Sequence, residues 1–123
     1  MENTTIYRIE DDLGNGPYRS GHCEGHNRLY DDYRCPPPFD DPGLKDAWYV
    51  ISDLDQRPHY RFGFASLEAL ERWFPARERL LLKDVGMKVA EYTVHRSSTH
   101  SSHRQAIFNI NHATLVRRQE LYA

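Results

Sequence analysis

The sequence has little of what usually announces a function. Cysteine occurs at two positions, Cys23 and Cys35, both in one stretch rich in proline and glycine, whereas a small secreted domain stapled by disulfides carries more. Reduced thiols in a cytosol are expected. No apolar run approaches the roughly 18–20 residues that cross a bilayer, and the opening MENTTIYRIE lacks a basic flank followed by an apolar stretch. The expectation is a soluble protein that stays where it is made, with no membrane partner. Sixteen Lys plus Arg against eighteen Asp plus Glu leave a formal charge of -2, so the overall balance selects neither nucleic acid nor an anionic surface. The Gly-x-Ser-x-Gly elbow, the His-Glu-x-x-His pair and the Gly-x-x-x-x-Gly-Lys loop are all missing, which removes three common catalytic schemes. One local absence matters more. From His95 to Arg118 there is no carboxylate, while Arg96, Arg104, Arg117 and Arg118 fall there; these four are the route by which nucleic acid could bind, through phosphate contacts.

At 123 residues the chain fits one domain, 1–123, with one core. Its clearest signal is RFGFASLEALERWFP, Arg61 to Pro75. A short aromatic strand with Phe62 and Phe64 runs into Ser66, a preferred helix N-cap whose hydroxyl can accept the N–H of residue 68 or 69. Leu67, Leu70 and Phe74 follow at helical spacing, and Pro75 ends the pattern. This predicts the main helix over 66–74. A second short helix over 77–85, stopped by Gly86, follows from the leucine-rich ARERLLLKDV.

Strands are predicted around these helices. Thr4–Ile9 is rich in β-branched and aromatic residues, with Tyr7 and Ile9 on one face and Ile6 and Arg8 on the other. Arg8 lies either on a solvated face or in a cleft, where its guanidinium fork suits phosphate or carboxylate. Trp48–Ser52 reads as a strand bounded by Asp46 and Asp53. Met87–His95 is a strand with Lys88, Ala90, Tyr92 and Val94 on one face. RSSTHSSH reads as a polar, mobile hairpin loop, and strands follow at Arg104–Ile110 and Ala113–Arg117. Strands, helices and strands in that order predict an α+β domain with a mostly antiparallel sheet.

Between them, 11–47 is a long irregular segment. Its DDLGNGP turn can approach a ligand closely, with Tyr18 and Arg19 next to it to stack and to supply a cation. Its His22, Cys23, His26 and Cys35 are zinc-ligand types, but the HC-x2-H-x8-C spacing departs from paired-cysteine sites, so no metal is expected. Cys23 beside His22 is a weak nucleophile-and-base pair, because sequence neighbours seldom face one another.

IYRIE, FGFASLEALERWF and RQAIFNINHATLV, in that order, resemble the three motifs of the ADP-ribosyltransferase fold. The resemblance implies a reduced scaffold with Arg8, Ser66 and Gln105 at the catalytic positions, Tyr7, Tyr18 and Arg19 toward a cofactor, and NAD as that cofactor. The family's glutamate falls at Gln105, which lacks the charge to stabilise an oxocarbenium ion, so the resemblance implies a nucleotide-binding or vestigial scaffold more readily than a competent transferase, and, if the site is active, an ADP-ribosyltransferase or NAD-glycohydrolase. The GPYR turn, FGF-S-L-E-x-L-x-x-W-F and L-x-x-x-G-x-x-V-x-x-Y-x-V together also look similar to small accessory proteins of bacteriophages and mobile elements. That resemblance implies the cytoplasm of a bacterial host cell, and a stoichiometric inhibitor of a host defence complex, of the anti-CRISPR type, as the alternative function. Tyr30, Tyr33, Phe39, Trp48 and Tyr60 would then supply aromatic anchors for a host protein complex.

Overall fold

The computed structural model describes residues 2–17 and 41–122. Within them lie strands β1 (Asn3–Glu10), β2 (Tyr60–Gly63), β3 (Lys88–His95), β4 (Thr99–Ser101), β5 (Ala106–Asn109) and β6 (Ala113–Glu120), and helices α1 (Lys45–Asp53), α2 (Leu67–Trp73) and α3 (Ala76–Asp84). The strands form two antiparallel sheets ordered β1-β3-β6 and β2-β5-β4. The chain is α+β.

Alternation along the strands builds the layers. From the first sheet, Ile9 and Val89 join Leu70, Trp73, Phe74 and Leu82 of the α2–α3 unit in one core cluster. The opposite face sends Ile6, Ala90, Tyr92 and Val94 against Ala106 and Phe108 of the second sheet. Ile107, on the far side of β5, packs with Leu44 and Ile51 under α1. The layers therefore stack as two helices, sheet, sheet and one helix.

The sheets also meet edge to edge. Tyr7 and Phe64 exchange backbone hydrogen bonds of 2.8 and 2.7 Å, bridging β1 to the end of β2. Gly63 permits this approach, since a Cβ there would stand 2.6 Å from Ile6 Cγ2 and 2.8 Å from the Tyr7 carbonyl oxygen.

The Ser66 hydroxyl accepts the Ala69 N–H at 3.1 Å, and the helix runs Leu67–Trp73 with Phe74 as its C-cap. The second helix begins at Ala76, directly after Pro75. Trp48–Ser52 is helix instead of strand. Its aromatic and β-branched residues suggested β structure locally, but Leu44, Trp48 and Ile51 recur at i, i+4 and i+7, and that helical stripe is what packs beside Ile107. The RSSTHSSH stretch is also more ordered than its composition suggests. Arg96–Ser98 forms a 3-10 turn and Thr99–Ser101 pairs with β5, with Ser98 buried and its Oγ 2.8 Å from His112 Nδ1. No helix among the described residues is long and apolar enough to cross a membrane.

Candidate functional site

Arg8 is neither solvated nor open to a cleft. It is buried, and two residues further along the same strand face lies Glu10, which is fully buried. Arg8 Nε donates to Glu10 Oε1 at 2.9 Å and its Nη1 to the Phe62 carbonyl at 2.9 Å. The other carboxylate oxygen, Oε2, accepts from Arg118 Nε at 2.8 Å, and the Tyr92 hydroxyl lies 2.8 Å from both oxygens. Register explains the convergence. Arg8, Ala90 and Arg118 form one row across β1, β3 and β6, and the small central residue leaves room above the sheet for both guanidiniums.

The glycine turn closes over this cluster. Asp11 Oδ1 accepts the N–H groups of Leu13 and Asn15 at 2.8 and 2.9 Å, and a Cβ at Gly16 would lie 2.9 Å from Arg8 Nη2. The turn's close backbone approach is therefore to a side chain of its own chain. Burial, opposed by Glu10, lowers the Arg8 pKa. Burial also lowers that of Arg118, but the hydrogen bond and charge of Glu10 outweigh it and the net shift is upward. Burial first, then the hydrogen bond to Glu10, pushes Tyr92 up to about 12.

Gln105 belongs to a second buried cluster. Its Nε2 donates to Asp41 Oδ2 at 3.1 Å, and the Ser102 hydroxyl donates to the same oxygen at 2.7 Å. Asp41 Oδ1 accepts the Gly43 N–H at 3.0 Å, while the Asp41 carbonyl accepts from Leu44 and Lys45 at the start of α1. Burial raises the Asp41 pKa, yet the hydrogen bonds from Ser102, Gln105 and Gly43 bring it below the ordinary carboxylate value.

The candidate catalytic side chains thus sit with different partners: Arg8 with Glu10, Ser66 on the backbone of α2, Gln105 with Asp41. Tyr7 is half-buried against the helix-facing core, and Tyr18 and Arg19 lie outside the described residues, as do His22, Cys23, His26, Cys35, Tyr30, Tyr33 and Phe39. The structure does bring the Ser66 helix and the Gln105 turn to one place. A shallow cleft of about 340 Å³ is lined by Ala69, Arg72 and Trp73 of α2 and by His103 and Arg104, and Arg72 Nη2 donates across it to the His103 carbonyl at 3.4 Å. Of the four arginines noted for phosphate contact, Arg104 lines this cleft. Arg117 is paired with Glu91 at 3.4 Å and Arg118 with Glu10, and Arg96 is exposed.

Glu10 could have been suspected from the sequence, since it follows Arg8 by two residues in a strand. Tyr92, Arg118 and Asp41 carried no such signal, because only tertiary pairing brings them in.

The fold and its two buried polar clusters define a small α+β protein whose strand and turn ends are tied by internal charge and hydrogen bonding. The sequence matches the family described as bacteriophage T4 Y00F protein over residues 1–122, and the chain belongs to that family. No curated protein and no solved structure matches it.

Proposed function

We propose that this phage protein acts by stoichiometric binding to a host protein complex, as an inhibitor of host defence would, and not by turnover. One observation carries the reading: Arg8, Ser66 and Gln105, the side chains a transferase would need, are each committed to a partner within the chain. A guanidinium closed on a buried carboxylate is a poor ligand for a phosphate or carboxylate outside. A surface of the right kind lies on α1 and its C-cap, where Tyr49, Val50 and the capping Leu54 are more than half exposed. Trp48 and Tyr60, suggested as anchors by the sequence, instead pack around Leu44, Ile51 and Ile107, so the exposed anchors are their neighbours.

The test is affinity capture from a bacterial host lysate, followed by sizing of the purified complex. A one-to-one complex lost on Tyr49→Ala or Leu54→Ala and retained by Gln105→Ala supports the reading. A complex that depends on Gln105 and ignores the α1 changes contradicts it.

The nucleotide-binding alternative has one observation in its favour: the helix capped by Ser66 and the turn bearing Gln105 border the same cleft. Calorimetry with NAD and ADP-ribose separates the two readings. Absence of heat from both removes the nucleotide.

A further inference from the structure

We infer that the outward face of α3 binds a second copy of this chain, the two helices packing antiparallel about a two-fold axis that passes between Leu80 and Leu81. Glu78, Arg79 and Leu82 are buried and fix which side of α3 meets the fold. At 3.6 residues per turn the opposite side carries Arg77, Leu80, Leu81 and Asp84. Leu80 is 47% and Leu81 59% exposed, and Arg77 and Asp84 are exposed beside them. Along that face the order is cation, leucine, leucine, anion, and an antiparallel copy presents it reversed. Arg77 of each chain then meets Asp84 of the other, with Leu80 packed on Leu81 between the two ion pairs, which is the self-complementary pattern an isologous contact requires.

Two further observations select a second copy as the occupant. Arg77 and Asp84 lie about 10 Å apart along the helix axis, too far to pair with each other, and among the described residues neither takes part in an ion pair. Both also stand at the wrong ends of their own helix, since a cation in the first turn and an anion in the last oppose the macrodipole, and Arg77 and Asp84 are the second and last residues of α3. An antiparallel neighbour reverses that penalty, because Arg77 then lies beside the negative end of the second helix and Asp84 beside its positive end. The contact is small. With nine residues α3 is about 13 Å long, so the shared area falls below about 1,200 Å², at the low end of specific interfaces, and the dimer is weak and concentration-dependent. Because α3 and α1 lie in opposite outer layers, the pair leaves Tyr49 and Val50 of each chain open, one α1 face per chain, and the inference stands independently of any host partner there.

Sedimentation equilibrium of the full chain over a range of concentrations tests this, and a monomer–dimer equilibrium is the expected result. Leu81→Gln, Arg77→Glu and Asp84→Arg should each weaken it about tenfold, the last two because like charges then face each other at both symmetric positions. All three side chains are exposed, and the two charge changes agree with the helix dipole, so thermal midpoints that hold or rise separate lost pairing from lost folding. Arg77→Glu and Asp84→Arg combined in one chain should restore the dimer. An equimolar mixture of the two single variants should form a heterodimer, although each pairs poorly with itself. A chain that is monomeric at every concentration, or a dimer that ignores these changes or is not restored by the exchange of charges, overturns the inference.

Discussion

Arg8 and Arg118, on the two outer strands of one sheet, hold the two oxygens of a single buried carboxylate, Glu10, at 2.9 and 2.7 Å. The arrangement puts two cations and one anion inside or at the edge of the fold. Such a cluster is costly to desolvate and more costly to break, because losing one member strands the others.

Glu10→Gln should therefore destabilise the protein by about 3 kcal/mol, since it leaves Arg8 buried without a counter-charge. Arg118→Gln should cost less, about 1 kcal/mol, because that side chain is 23% exposed and water can replace part of what it loses. Urea unfolding of both variants measures the difference, and equal losses would contradict the burial argument.

Stability should decline in alkali. Tyr92 titrates at about 12 in the folded chain against an ordinary 10.0, so the folded state holds this proton more tightly than the unfolded state. The associated stability is intact below pH 10 and is lost as pH rises toward 12. Tyr122, bonded to Glu71 at 2.7 Å, is also pushed up to about 12 and adds to the effect. Thermal midpoints between pH 9 and 12, set beside ultraviolet titration of the phenols, check this; Tyr92→Phe should flatten the decline.

Ser66→Ala should cost about 1 kcal/mol, the ordinary loss for a helix N-cap. It should leave capture of a host partner unchanged. A variant as stable as the parent that has lost its partner would make Ser66 a binding residue instead of a cap.

Gly63→Ala places a methyl group 2.6 Å from Ile6 Cγ2 and 2.8 Å from the Tyr7 carbonyl oxygen. Because one of those atoms is backbone, the β1–β2 bridge has to shift, at a cost of about 1–3 kcal/mol. Amide exchange at Tyr7 and Phe64 should accelerate together.

Much of the fold was legible because its signals are local. Ser66 followed by the Leu67, Leu70 and Phe74 spacing, Pro75 as a break, and the alternation of Ala90, Tyr92 and Val94 each act within a few residues. Trp48–Ser52 was misread because a five-residue window of aromatic and branched side chains outweighed a helical stripe beginning at Leu44. The buried clusters were largely illegible for a different reason. Glu10 meets Arg118 across 108 residues and Gln105 meets Asp41 across 64, and nothing local in the chain marks such pairs before strand register is known. Arg8 lies neither on a solvated face nor in a cleft, the two places its strand pattern suggests, because its partners Glu10 and the Phe62 carbonyl take it into the fold.

The central claim is that Gln105 holds Asp41 and is not a silenced catalytic glutamate. Gln105→Glu decides it, through thermal unfolding and NAD cleavage measured on the same preparation. The account predicts a loss on the order of 2–3 kcal/mol, because the new carboxylate cannot donate to Asp41 Oδ2 and faces a like charge in a buried place; the loss should ease as pH falls and one of the pair takes up a proton, and no NAD should be cleaved. A variant of undiminished stability at neutral pH that cleaves NAD would contradict it.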